Sequence, residues 1–405
     1  MRSRIKPGMT KKTKAVSYKT KTMAFPFNTE YPSIESLRER AQKRMPRFAF
    51  EYLDGGCNEN INIKRNTDEI REIQLKPRYL KNYSKSRLET ELFGIKYDAP
   101  FGISPIGLQG LMWPNAPEIL AKASLKHNIP FVLSTVTSTS IERASELTEG
   151  RAWFQLYHPT EDWLRDDILK RAEAAEVPVL VILCDVPTFG YRPKEIRNGL
   201  AMPPQMNIRN VLQVMGKPAW AIETLKHGAP NFATMKKYME KGMSIKQLGA
   251  WMNATFSGRL NEEKIKPLRD LWKGKLVLKG VVSDEDAEEA IRLGFDGIIV
   301  SNHGGRQLDA GESTIKPLSH IAEKYKDQIT VMMDSGIRSG PDIARVMSSG
   351  ADFSFLGRSF MYGVGALGDK GGDHTIAMLK MQLQQVLEQV CCEKVTDLPK
   401  YLVKE

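Results

Sequence analysis

From residue 100 onward the chain alternates between two hydrophobic patterns. Short apolar runs recur and end on small or polar residues: Pro100–Pro105, Phe131–Thr135, Ala152–Tyr157, Val177–Asp185, Lys275–Gly280, Asp296–Asn302, Ile329–Gly336 and Ala351–Gly357. Between them lie helical patterns such as Thr160–Glu176, Asp284–Leu293, Leu318–Tyr325 and Gly340–Ser349. The first pattern predicts buried strands and the second amphipathic helices. Eight strands alternating with helices predict an α/β chain folded as a closed (β/α)8 TIM barrel; a doubly wound open sheet is the alternative. The barrel is favoured because chemically capable residues fall at the C-terminal ends of nearly all eight runs, where barrels place active sites.

Three stretches depart from this rhythm. Residues 33–52 read as a helix capped by Ser33, with apolar positions continuing to Phe48, Phe50 and Tyr52; Pro46 would kink or divide it, and Asp54-Gly55-Gly56 stops it. Residues 186–274, between the fourth and fifth strands, are far longer than a normal crossover. They hold Met202, Met206, Met215, Trp220 and Trp251 with two basic helical patches. An active-site lid is the leading reading of this insertion, and a surface for a membrane or redox partner the second. The chain closes with an amphipathic helix near His374–Val395, expected to pack back on the barrel.

The strand ends carry the candidate chemistry. The sixth run gives way to Ser301-Asn302-His303-Gly304-Gly305-Arg306-Gln307-Leu308-Asp309. Here a histidine able to take a proton near neutral pH, an arginine fork suited to a carboxylate and two permissive glycines share one loop. That set suggests proton abstraction from a carboxylate-bearing substrate. Asp185 ends the fourth run and is a candidate partner for His303, since a neighbouring carboxylate favours the protonated imidazole. Arg192 follows as a candidate second arm of a clamp with Arg306; a surface ion pair is the competing reading for Asp185 and Arg192. Lys279 ends the fifth run, where it could stabilise negative charge on a ligand or close the barrel with a salt bridge. Gln155 and Tyr157 end the third run and point the same way. The first two runs end Ser104-Pro105-Ile106-Gly107 and Leu133-Ser134-Thr135. The last two end Asp334-Ser335-Gly336-Ile337-Arg338 and Leu356-Gly357-Arg358, the glycine-and-arginine loops that form the usual phosphate site of such barrels.

Composition narrows the partners. The chain of 405 residues is 41% hydrophobic and 26% charged, ordinary for a globular protein, and no uncharged apolar run approaches a membrane span. The net charge of +11 could suggest nucleic acid, but eight of those charges lie in residues 1–23, which contain no acid, so only +3 remains on the rest. Nucleic-acid binding is therefore not expected. The tail is expected to be disordered; a polyanion or membrane contact, a transit-like segment and sequence upstream of a start at Met23 are the other readings. Residues 24–405 form one expected barrel domain. Cys57, Cys184, Cys391 and Cys392 lack metal-type spacing, so no metal is expected and free thiols in a reducing compartment are.

From about residue 33 to the C-terminus, the chain resembles the FMN-dependent 2-hydroxy-acid oxidase and dehydrogenase family. Phe154-Gln155-Leu156-Tyr157, Leu278-Lys279-Gly280, Val300 through Asp309, Asp334-Ser335-Gly336-Ile337-Arg338 and Gly357-Arg358 carry the resemblance. It implies FMN held by Pro105, Ile106, Gly107, Ser134, Gln155, Lys279, Ser301, Asp334, Ser335, Gly336, Arg338, Gly357 and Arg358. It implies substrate contacts at Tyr52, Tyr157, Arg192, His303 and Arg306, with His303 the base, Asp185 behind it and Lys279 stabilising reduced flavin. The implied reaction is oxidation of an L-2-hydroxy acid, L-lactate first, to the 2-oxo acid, by hydride transfer or through a carbanion. The Asp-Ser-Gly-Ile-Arg loop resembles bacterial lactate and mandelate dehydrogenases more than plant oxidases, which implies a quinone, cytochrome or other carrier ahead of O2 as acceptor. A homotetramer, and a cytoplasmic protein peripherally placed on the inner face of the membrane, are further expectations. Two positions depart from the family: Leu183 replaces a flavin-contacting threonine, and Val136 stands where oxidases carry tryptophan. A flavin-using isomerase and a polyanion-binding protein acting through the tail are the competing readings.

Overall fold

The computed structural model describes residues 25–200, 208–228, 230–240, 242–243, 245–256 and 259–403. The basic tail, Met202 and Met206 lie outside them. An antiparallel hairpin, β1 (Thr90–Leu92) and β2 (Ile95–Tyr97), precedes eight parallel strands. These are β3 (Phe101–Ile103), β4 (Val132–Ser134), β5 (Trp153–Leu156), β6 (Val179–Leu183), β7 (Lys275–Val281), β8 (Gly297–Val300), β9 (Thr330–Met333) and β10 (Phe353–Leu356). They pair in the order β3-β10-β9-β8-β7-β6-β5-β4. A parallel bridge between Ile103 and Phe131 joins the two ends, and the Ile103 N–H donates to the Pro130 carbonyl at 2.8 Å. The sheet is thus a closed barrel. Seven strands fall inside their predicted runs; β7 continues one residue further, to Val281.

Burial on both faces explains why these strands read as continuous apolar runs. Alternate residues point to opposite sides. Val132, Trp153, Val179, Val181, Val277, Ile299, Met332, Phe353 and Phe355 fill the interior, and Leu92 and Tyr97 of the hairpin belong to the same cluster. The other side chains of the strands, such as Leu180, Ile182, Leu276, Leu278, Ile298 and Val331, join the helices in the larger core.

The predicted 33–52 helix is two helices, Ile34–Arg44 and Arg47–Asp54, divided at Pro46. Ser33 caps the first through a reciprocal bond with Ser36. The C-terminal helix runs Gly371–Val390, beginning a turn before the predicted start and ending where Cys391 adopts φ +55°. Helix Ile61–Glu72 was not predicted, because its buried residues include Asn62 and Asn66 and give no apolar stripe.

The insertion after β6 carries helices Pro193–Arg197, Ile208–Met215, Pro218–His227, Ile245–Thr255 and Glu262–Leu271. Trp220 is not a surface aromatic: it is buried against Phe48, and its indole N–H donates to the Met112 carbonyl at 3.0 Å. Trp251 is half-buried. Among the insertion's exposed apolar residues only Phe189 and Tyr191, close after β6, are aromatic, and those on its later helices are aliphatic among the described residues. Ile208, Val211, Leu212 and Met215 face out from one helix, and Ile222 and Leu225 from the next. On the first of these helices two polar residues turn inward beside Val214. Asn210 donates to the Asn198 carbonyl at 3.1 Å, and Gln213 accepts from the Phe48 N–H at 3.0 Å.

Candidate active site

The loops following the strands and the end of helix Arg47–Asp54 enclose one cavity. Its walls include Tyr52, Pro105, Ile106, Gly107, Gln155, Tyr157, Arg192, Lys279, His303, Arg306, Asp334, Ser335, Gly336, Arg338, Gly357 and Arg358. Asp185 and Ser301 stand just behind this wall, bonded to His303 and Lys279. Ser134 also lies off the wall, its hydroxyl accepting weakly from the Val136 N–H at 3.4 Å.

The His303 imidazole meets Asp185 through Nδ1 at 3.0 Å. That leaves Nε2 as the proton-accepting nitrogen. Burial lowers the affinity of His303 for a proton, and Asp185 opposes this without reversing it, so the ring is neutral and basic at pH 7. Asp185 has room there because residue 280 is glycine: a Cβ at Gly280 would lie 2.6 Å from the Asp185 Cβ. Gly280 adopts φ +107° at the register shift between β7 and β8, a bulge at the rim of the site.

Arg306 and Arg192 lie side by side. Arg306 Nη1 donates to the Tyr52 and Gly55 carbonyls, both at 2.8 Å, and its guanidinium stacks 4.8 Å from the Tyr52 ring centre. Arg192 donates from Nε to the Arg306 carbonyl at 3.2 Å and from Nη2 to Gln307 at 3.0 Å. Burial pushes the phenols of Tyr52 and Tyr157 up, so both remain protonated donors.

A second ionic group forms the floor. Lys279 Nζ donates to the Ser301 hydroxyl at 2.7 Å and pairs with Asp334 at 3.2 Å. Burial alone would lower the lysine and raise the aspartate, but each outweighs that effect on the other, and both stay charged. Ser104 donates to the second oxygen of this carboxylate at 2.8 Å, and Ser335 to the first at 2.9 Å.

At the far end sit Arg338 and Arg358. Arg358 is half-buried and, among the described residues, donates only to main-chain carbonyls, those of Leu53, Gly304 and Gly55. Neither arginine has an acidic partner within salt-bridge distance among the described residues. Burial and then the charge of Arg338 pull Arg358 down to about 9. A half-buried pair of cations without an acidic partner among the described residues suits a phosphate. Gly336 makes the adjoining turn at φ +85°, where a Cβ would strike the Asn66 carbonyl at 2.5 Å. Gln155 is buried and its side-chain amide has no partner among the described residues, leaving it free for a ring carbonyl or N–H. Pro105, Ile106 and Gly107 line the same cavity. An anion site, an orphan amide and a lysine in one cavity together fit FMN.

The family model described as FMN-dependent dehydrogenase matches residues 41–405. The chain belongs to the FMN-dependent dehydrogenase family. FMN is this dehydrogenase's cofactor, and its chemistry is the oxidation of a 2-hydroxy acid. It is 36% identical over 362 residues to L-lactate dehydrogenase of Vibrio parahaemolyticus, covering 89% of this chain and 95% of that one. It is 36% identical over 375 residues to (S)-mandelate dehydrogenase of Pseudomonas putida, with coverages of 92% and 94%. A crystal structure of the monotopic membrane protein (S)-mandelate dehydrogenase superposes with a TM-score of 0.87 at 35% identity, covering 92% of this chain and 99% of that one.

Several residues at the dehydrogenase's site escaped the sequence reading. Phe232, Met252 and Phe256 of the insertion line the cavity, with Phe256 edge-on to Tyr157 at 5.9 Å. Glu195 sits between Arg192 and Arg306, 2.7 Å from the latter. Its place three residues after Arg192 was the available signal. Asn62 and Asn66 hold the 301–309 loop: Asn62 donates to the Leu308 carbonyl at 2.9 Å, and Asn66 exchanges bonds with Asn302 at 2.7 and 2.8 Å. Leu183 is buried off the cavity wall, and its side chain cannot hydrogen-bond.

Proposed function

We propose that this dehydrogenase oxidises an L-2-hydroxy acid with an apolar side chain, L-lactate being the smallest, and passes the electrons to a quinone or similar carrier. The observation that carries the reading is the meeting of the His303–Asp185 pair with the Arg192–Arg306 clamp in the same cavity as Lys279.

Arg192 and Arg306 bind the substrate carboxylate, with the Tyr52 and Tyr157 phenols as further donors. This sets the C2 carbon against His303 and presents the side chain to an apolar wall of Val136, Phe232, Met252 and Phe256. His303 takes the substrate proton on Nε2, and Asp185 stabilises the imidazolium that results. FMN, when bound, accepts the two electrons. Arg338, Arg358 and the Ser335–Gly336 turn would hold its phosphate; Gln155 and the Pro105–Gly107 wall would hold its ring; Ser134 and Ser301 would support them. Lys279 would offset negative charge arising on the ring, while Asp334 keeps the lysine charged and aimed.

The relatives named for lactate and mandelate support the substrate class and an acceptor other than O2. The relative described as monotopic supports peripheral membrane placement. No helix among the described residues is long and apolar enough to cross a membrane. The outward aliphatic stripe from Ile208 to Leu225, with Lys217 and Lys226 nearby in sequence, is the surface proposed to rest on the bilayer. A homotetramer is proposed from the family resemblance, with residues 24–405 as one barrel domain.

The test is the visible spectrum of the anaerobic holoprotein before and after L-lactate, then after admitting air. Bleaching supports the reaction, and slow recovery in air supports a carrier over O2. A flavin that stays oxidised with lactate, longer aliphatic 2-hydroxy acids and mandelate sinks the assignment.

A further inference from the structure

Glu195 is a buried carboxylate to which the reaction above gives no task. It stands in the short helix Pro193–Arg197, whose N-cap is Arg192. One of its oxygens accepts from Arg306 Nη2 at 2.7 Å, and both oxygens lie 3.4 Å from Arg192 Nη1. The three side chains are between 11% and 14% exposed. The other bonds of the arginines go to neutral acceptors: the Tyr52, Gly55 and Arg306 carbonyls and the Gln307 amide. Glu195 is therefore the one anion paired with either arginine among the described residues.

Adjacent guanidinium ions repel, and burial removes the solvent that would screen them. A single carboxylate between them lowers the clamp from two positive charges to one, which matches one substrate carboxylate. It also occupies only part of each fork, one oxygen on Arg306 Nη2 and both at longer range on Arg192 Nη1. Substrate and product carry the same carboxylate, so a clamp of two uncompensated charges would hold the 2-oxo acid as firmly as the hydroxy acid. Such uniform tightening does nothing for the chemical step.

We propose that Glu195 is a positioning residue that sets the charge of the substrate clamp, holding Arg192 and Arg306 on a shared anion so that the 2-oxo acid can leave. The inference rests on the reading of these arginines as the carboxylate clamp.

The test compares Glu195→Gln and Glu195→Asp as FMN-loaded proteins. The glutamine keeps an oxygen facing Arg306 and removes the charge. Pyruvate is expected to bind it about tenfold more tightly, read from perturbation of the flavin spectrum, and kcat is expected to fall as product release slows. The acid limb of flavin reduction is expected to move to lower pH, because His303 faces Asp185, Lys279 and Arg192 and would feel one more uncompensated cation. The aspartate keeps the charge and is expected to stay within about threefold of wild type for pyruvate. Unchanged or weaker pyruvate binding in Glu195→Gln, with FMN retained, overturns the proposal. If Glu195→Gln fails to hold FMN, Glu195→Asp decides: a tenfold change in pyruvate binding overturns the proposal, and near-wild-type binding upholds it. Wild-type flavin that no 2-hydroxy acid bleaches would sink the clamp assignment itself; bleaching with an unaltered Glu195→Gln sinks only the role of Glu195.

Discussion

His303 sits under two opposed influences, and their balance sets its working range. Burial favours the neutral ring, Asp185 favours the charged one, and burial wins. As the proposed base, His303 would therefore be competent at pH 7 and would lose that competence as pH falls through its depressed pKa. Replacing Asp185 with Asn removes the opposing influence. The acid limb of flavin reduction should move further down in pH, while the plateau rate falls on the order of 10²–10⁴-fold for want of a partner for the imidazolium. His303→Ala should abolish reduction with FMN still bound. Rapid-mixing absorbance across pH reads both variants, and a near-normal rate in either would remove His303 or Asp185 from the proposed mechanism. At this scale the sequence was informative where a charged residue interrupted an apolar run, as Lys279 and Asp185 do. It was silent on Glu195, Asn62 and Asn66, because a polar residue on a helix reads as solvent-facing until the fold shows what covers it.

The elements around the site are held by close approaches between chain segments distant in sequence. The turn at Gly336 passes under helix Ile61–Glu72 so closely that the glycine lacks room for a methyl group, and its carbonyl accepts from the Thr67 hydroxyl at 2.9 Å. Gly336→Ala combines that clash with a left-handed backbone, a strain of about 1–2 kcal/mol before any relaxation. FMN should then dissociate at least about tenfold more readily, measured by flavin fluorescence on dilution. An unchanged dissociation constant would show that the turn does not hold the cofactor. The eight strands were legible because apolar runs of that length, ending on turn residues, have one economical fate. Helix Ile61–Glu72 was not, since its working face is amide rather than apolar.

At the scale of the whole molecule, counting alternations gave the barrel, but no pattern in the insertion told which face of helix Ile208–Met215 points outward. An apolar stripe normally turns to the core. Here Asn210 and Gln213 do so beside the single apolar Val214, and Ile208, Val211, Leu212 and Met215 are left outside. Replacing Ile208 and Leu212 with Asp should cut co-sedimentation with anionic lipid vesicles at least about tenfold, since each buried aliphatic contributes roughly 1.5–3 kcal/mol. Flavin reduction by L-lactate in solution should not change. Undiminished co-sedimentation would place the membrane contact elsewhere.

The junction between β3 and β4, closed by the bridge from Ile103 to Phe131, has a consequence for how the barrel breathes. Pro130 lies at this seam and has no amide to give, so the ladder is thinner there than between β6 and β7, which share five aligned pairs. The loops that leave the two strands meet just above it, where the Leu108 N–H donates to the Val136 carbonyl at 2.8 Å. Local opening should therefore begin at this seam in the apoprotein, with the Ile103 amide exchanging with deuterium ahead of those in β6 to β8. FMN lying against Pro105–Gly107 would act as a rivet across it, and loading the protein should slow exchange at Ile103 and Leu108 more than in the strands opposite.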